Sequence, residues 1–206
     1  MAIDPSGKGR GGLGLTRSRY TLSFCGRLEL DLIGGDTPPA DSQALVVPQD
    51  VYLILGEVSL IEEAREPLAA AWAALGRFKP KPRGSVLVCP GSGGPPLLLQ
   101  AIVYDFEDAP PARSVHVFEA LLTAFEEARR RKLGSLALHP LGTAHQGVAA
   151  EEFVRLLAQV CLCAAELGTS LKQVHLLLPS PEELARYEGL LASLGRQLGP
   201  SSGVGS

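Results

Sequence analysis

Apolar residues change their spacing along the chain, and each change marks an element. From Tyr20 to Leu32 they alternate, at Leu22 and Phe24 and then at Leu28, Leu30 and Leu32, with Gly26 interrupting the series. Alternation with period two is what a half-buried strand requires, so this stretch predicts one or two strands, a hairpin near a sheet edge. Unbroken apolar runs at Ala44 to Val47, Ser85 to Cys89, Leu97 to Phe106, Ser135 to Leu138 and Gln173 to Leu178 predict buried strands. Spacing by threes and fours takes over elsewhere. Ser59 to Leu75 carries Leu60, Ile61, Ala64, Leu68, Ala71, Trp72 and Leu75, opens on the capping box Ser59-x-x-Glu62, and contains Pro67, which should kink or divide it. Ser114 to Lys132 sets Val115, Phe118, Leu121, Leu122, Phe125 and Ala128 on one face. The other face carries Glu126, Glu127, Arg129, Arg130 and Arg131, a solvated charge run. Glu151 to Leu167 is amphipathic, and Pro181 to Leu194 begins with Ser180 as N-cap and Pro181 at the first helical position.

Strands that alternate with helices in the second half predict an α/β fold, three-layer α/β/α with a mixed central sheet and ligands at the carboxyl ends of the strands. One domain is expected over residues 20–194. Residues 1–19 hold five glycines and four basic residues after almost no apolar surface, which predicts a flexible Gly/basic arm rather than a nucleic-acid-binding tail. Residues 195–206, ending in Gly and Ser, are expected to be a loose tail.

One stretch is suited to holding a ligand. The run Ser135 to Leu138 is stopped by His139 and Pro140, Gly142-Thr143-Ala144-His145-Gln146-Gly147 follows, and a helical pattern begins at Glu151. A strand feeding a glycine-bounded loop feeding a helix brings backbone N–H groups and a positive helix end to one place, which suits an anion. The same two glycines also fit an ordinary strand-to-helix connection. Ser135, Pro140, Gly142, Thr143 and Gly147 match the second phosphate-and-ribose loop of macro domains, which this run resembles, with Ala144 where that family has glycine. Gly35-Asp36-Thr37, followed by the strand Ala44-Leu45-Val46, is similar to the start of the same family. Val47 and Asp50 take the places of its two asparagines, and Gly56, with Glu57 after it, replaces its three-glycine run. The strand Ser85 to Cys89, returning through Pro90 to Pro96, resembles the family hairpin, with Ile102-Val103-Tyr104 in place of Val-Ile-His.

This resemblance spans about Leu28 to Leu194. It implies a macro-domain-like fold whose partner is ADP-ribose or a similar small nucleotide diphosphate. It also implies that Asp36 accepts from the adenine amino group and that Gly56 serves the first loop. Gly142, Thr143, Ala144, His145, Gln146 and Gly147 would hold phosphate and distal ribose. With fewer glycines than the family, binding is expected to be weak. One alternative is a macro-fold interaction or structural domain that has lost this ligand. Another is an ADP-ribosyl or phosphate-ester hydrolase, against which stand the missing asparagines and glycines, so no catalytic residue is expected.

Composition narrows the classes. With 46% hydrophobic and 20% charged residues the chain is globular, and a net charge of −3 gives no general attraction for nucleic acid or an anionic membrane. Cys25, Cys89, Cys161 and Cys163 lack metal-type spacing and read as small buried hydrophobes in a reducing compartment. Of the histidines, His116 opens a helix and His175 lies in a strand, while His139 and His145 are the two that could meet a ligand. No cofactor or metal is expected. The opening residues lack the roughly 7–15 apolar residues of a signal peptide, so the expected location is the cytoplasm.

Overall fold

The computed structural model describes residues 16–55 and 80–198. In chain order the elements are β1 (Thr16–Phe24), β2 (Leu28–Gly34), β3 (Ala44–Asp50), β4 (Val86–Pro90), β5 (Leu97–Tyr104), α1 (Ser114–Arg130), β6 (Ser135–Leu138), α2 (Ala150–Leu167), β7 (Gln173–Leu178) and α3 (Pro181–Leu198). Gly56 and the helix expected over Ser59 to Leu75 lie outside the described residues, as do residues 1–15 and 199–206.

The strands form one seven-stranded sheet in the order β1-β2-β7-β6-β3-β5-β4. β2, β7, β6, β3 and β5 run parallel, and β1 and β4 are added antiparallel at the two edges. The sheet is therefore mixed. Central parallel strands are covered on both faces, which is why β6 and β7 read as continuous apolar runs instead of alternating ones. α1 carries the chain from β5 to β6 and α2 from β6 to β7, two steps in the same direction across the sheet, and right-handed crossovers put both helices on one face. α3 packs on that face too, against β1, β2 and α2. The main core lies between, with Leu30, Leu32, Val46, Leu99, Leu136 and Leu176 of the sheet meeting Leu121, Phe153 and Leu191 of the helices. The opposite face carries a smaller apolar cluster of Ile33, Ala137 and Leu177, with Leu45 beside it. The β2–β3 connection ends against the start of β6, where the Ser135 hydroxyl accepts from the Gln43 N–H at 3.2 Å and donates to the Asp41 carbonyl at 2.6 Å.

Several expectations shift. β1 begins at Thr16, inside the span expected to be an arm, and pairs Thr16 with Gly34 and Arg17 with Ile33. On α1 the buried residues are Val117, Ala120, Leu121, Ala124, Phe125 and Ala128, while Val115 and Leu122 are 54% and 41% exposed. The stripe is rotated relative to the expected one because alanines, weak in a hydrophobicity pattern, sit where the helix backbone approaches the sheet and α2. Of the four cysteines only Cys161 is buried, and burial pushes its thiol pKa up; Cys25 and Cys163 are exposed. The Ser180 N-cap is present, its hydroxyl accepting from the Glu183 N–H at 3.1 Å. The charge run forms Glu126–Arg129, Glu127–Arg130 and Glu127–Arg131 pairs on the outer surface.

Candidate functional site

Because the five central strands are parallel, they end at one edge of the sheet, and the segments that follow β2, β3, β5 and β6 meet there. This edge collects most of the residues singled out in the sequence. The loop after β6 is built as a closed turn. The Val148 N–H donates to the Gly142 carbonyl at 2.7 Å and the Gly147 N–H to the Ala144 carbonyl at 3.1 Å, so the chain folds back on itself between the two glycines. The central residues of the inner turn, His145 and Gln146, both have left-handed backbone, with φ of 54° and 58°. Left-handed backbone at residues other than glycine costs energy and concentrates at ligand sites. Ala144, His145 and Gln146 are exposed, and the N–H groups of His145 and Gln146 find no backbone acceptor among the described residues. They are free to meet an anion. At the start of α2, Ala149 offers no side-chain cap, which leaves helix N–H groups open on the same side, whereas Glu151 and Glu152 in the first turn set negative charge there.

The two glycines are required by the protein itself. A Cβ on Gly142, whose φ is 71°, would lie 2.6 Å from Val117 Cγ2 of α1; one on Gly147 would lie 2.2 Å from the Gly142 carbonyl oxygen. Neither missing side chain opens room for a ligand. Both let the loop close, and the exposed tip between them is what faces outward.

A tyrosine hydroxyl holds this loop, and a second tyrosine lies beside it. Tyr104, buried at the end of β5, accepts through its hydroxyl from the Ala144 N–H at 3.0 Å, and burial raises its pKa. Phe106 stacks parallel to Tyr104 with centroids 5.6 Å apart, and the His145 ring stands edge-on to both, at 5.6 and 5.4 Å. Tyr187 of α3 is buried against Phe153, and burial pushes its hydroxyl pKa up to about 12, a shift that the nearby Thr143 side chain opposes. Sequence reasoning missed these roles. The available signal was a tyrosine inside an apolar strand, whose hydroxyl must find a partner when buried.

Asp36 follows β2, is exposed, and lines a cavity of about 300 Å³ with Pro38, with Leu45 and Leu98 near the starts of β3 and β5, and with Gly91 to Pro95 of the β4–β5 turn, so this cavity extends toward the amino ends of those two strands. It reaches the end of β6 as well, because its charge raises the pKa of His139, which burial lowers by more. Asp36 and the Gly142–Gly147 loop thus follow the ends of β2 and β6, two strands with β7 between them, while Gly56 lies outside the described residues. No group of three or more metal-ligating side chains is gathered among the described residues, and no helix among them is long and apolar enough to cross a membrane.

No sequence-family model matches the chain, and no curated protein sequence does. Solved structures do. The macrodomain of Oceanobacillus iheyensis with ADP matches with a TM-score of 0.68 and 17% identity, over 88% of this chain and 99% of that one. The Trypanosoma brucei macrodomain in complex with ADP-ribose gives 0.57 and 16%, over 79% and 68%. The macro domain of ganglioside induced differentiation associated protein 2 gives 0.55 and 16%, over 79% and 82%. With the mixed seven-stranded sheet, these matches give the three-layer α/β/α architecture expected from the order of elements.

Proposed function

Because the chain has the macrodomain fold, we propose that it binds ADP-ribose or a related nucleotide diphosphate, weakly, at the carboxyl edge of its sheet. The observation that carries this reading is the loop after β6, whose strained and exposed tip leaves the His145 and Gln146 N–H groups without a backbone acceptor among the described residues. A phosphate seated there would accept both N–H groups, with the uncapped start of α2 behind it. The distal ribose would lie along Thr143 to Gly147, and Asp36 would accept from the adenine amino group. Support comes from solved structures of this fold that hold ADP and ADP-ribose. Weak affinity follows from Glu151 and Glu152 beside the seat and from the reduction of the first loop's glycines to Gly56. Four unpaired cysteines agree with a cytoplasmic location.

A second reading is favoured by one feature after β3: the Asp50 carboxylate takes N–H groups of residues 52, 54 and 55, which are then not offered to a ligand. On that reading the chain is a macrodomain-fold interaction or structural domain. Calorimetry of the full chain with ADP-ribose separates the two. A dissociation constant of about 10–500 μM, roughly 4.5–7 kcal/mol of binding free energy, is expected for the nucleotide reading. Asp36→Ala should weaken ADP-ribose about tenfold, the loss of about one hydrogen bond to a charged group, and leave ribose 5-phosphate within about twofold. An absence of heat and of NMR shift changes at millimolar ADP-ribose would leave the interaction-domain reading standing.

A further inference from the structure

The carboxyl edge holds a second array of backbone N–H groups, after β3, and it is already occupied. Asp50 ends that strand only 2% exposed. Its Oδ1 accepts from the Tyr52 N–H at 2.7 Å, and its Oδ2 accepts from the Ile54 and Leu55 N–H groups at 2.8 and 2.7 Å. The buried Gln49 side chain adds its Oε1 to the Asp50 and Leu55 N–H groups at 3.0 and 2.9 Å. Leu53 takes left-handed backbone, φ 65°, within the tight turn these bonds close. Three N–H groups converging on one carboxylate form an anion-binding concavity, filled here by an anion from the chain itself.

Resting on the nucleotide-binding reading, we propose that Asp50 determines which ligands the site takes. A nucleotide seats one phosphate on the loop after β6 and is denied a seat for a second phosphate after β3. Tyr104 ties the two arrays into one site. Its carbonyl accepts from the Val51 N–H at 2.9 Å and its hydroxyl from the Ala144 N–H at 3.0 Å. A second phosphate approaching residues 52–55 meets a fixed negative charge in place of free donors. Displacing Asp50 would leave that carboxylate buried and unpaired.

ADP and AMP differ by the second phosphate alone, so the ratio of their affinities measures this exclusion. In calorimetry of the full chain, wild type should bind the two within about threefold of each other. Asp50→Asn, which keeps the shape, removes the charge and turns one of the two acceptor oxygens into an NH2 that releases its N–H partner, should tighten ADP about tenfold relative to AMP. An unchanged ratio in Asp50→Asn overturns the proposal, and so does a wild-type chain that prefers ADP by tenfold or more. Asp50→Ala gives an independent readout, because it vacates the array. Inorganic phosphate should then raise the melting temperature of Asp50→Ala by several degrees more than that of wild type, the ion taking the freed N–H groups. Equal shifts in the two proteins count against a filled anion seat. If wild type binds neither nucleotide but phosphate selectively stabilises Asp50→Ala, the nucleotide reading fails and the occupied seat is upheld.

Discussion

A Cβ on Gly142 would press on Val117 in backbone with φ of 71°, so a substitution there acts on the fold before it acts on any ligand. Gly142→Val should lower stability by about 2–4 kcal/mol, from left-handed strain plus overpacking against α1, as urea denaturation would show. Binding loss in that variant therefore says nothing about phosphate contact, whereas Asp36, exposed at its cavity, can be changed without such a penalty. His139 offers a pH-dependent readout. Burial holds its folded pKa below the usual imidazole value, so the unfolded chain takes up the proton first as pH falls. The stability from the neutral half-buried ring is complete above about pH 6.5 and is lost as the solution is acidified through that value toward the folded pKa. His139→Gln should flatten this part of the stability curve. Asp36→Ala should move the His139 titration, followed by NMR, to still lower pH, because the Asp36 charge is what raises it. An unmoved titration would place the two residues out of electrical contact.

At the scale of elements, α1 tests how far periodicity can be trusted. The pattern grouped Leu121 and Leu122 on one apolar face, yet Leu121 is fully buried and Leu122 is 41% exposed. Leu121→Ala should cost about 2–5 kcal/mol, and Leu122→Lys should stay within about 0.5 kcal/mol of wild type by chemical denaturation. Comparable losses would restore the expected face. The existence and type of every described element were legible, because strand runs and helical spacing are local. Element edges were less so. The register of β1 against β2, which extends the strand to Thr16, is set by a partner strand. The path of α1 is set by Ala120, Ala124 and Ala128, whose small side chains permit close approach and leave little trace in a hydrophobicity pattern.

For the whole molecule, β1 is an antiparallel edge strand whose first residues, Thr16 and Arg17, pair with the end of β2 beside Asp36. A chain truncated to begin at Tyr20 loses that pairing, while one beginning at Thr16 keeps it. The Tyr20 truncation should melt about 2–4 °C below the Thr16 one, corresponding to about 1 kcal/mol for a domain of this size. Identical melting temperatures would show that Thr16 to Arg19 contribute nothing to the sheet. The same geometry places the start of β1 at the carboxyl edge, so the Tyr20 truncation should also loosen the chain around Asp36, readable as faster amide exchange in residues 34–37.

The sequence by itself determined the order of strands and helices, the α/β class, and the loop of Gly142 to Gly147, because hydrophobic period, proline and glycine placement act over a few residues. It also carried the resemblance to macro domains that the solved structures bear out at the level of fold. Tertiary structure alone decided the rest. The role of the two glycines depends on Val117 and on the loop's own carbonyl, far from or folded back on their neighbours in sequence. The anchoring of Ala144 by Tyr104 spans 40 positions. The occupied array at Asp50 depends on a turn whose donors come into reach only when the chain curls through Leu53. Side-chain identity is local, but a hydrogen-bond partner or a steric limit is a property of what the fold brings alongside.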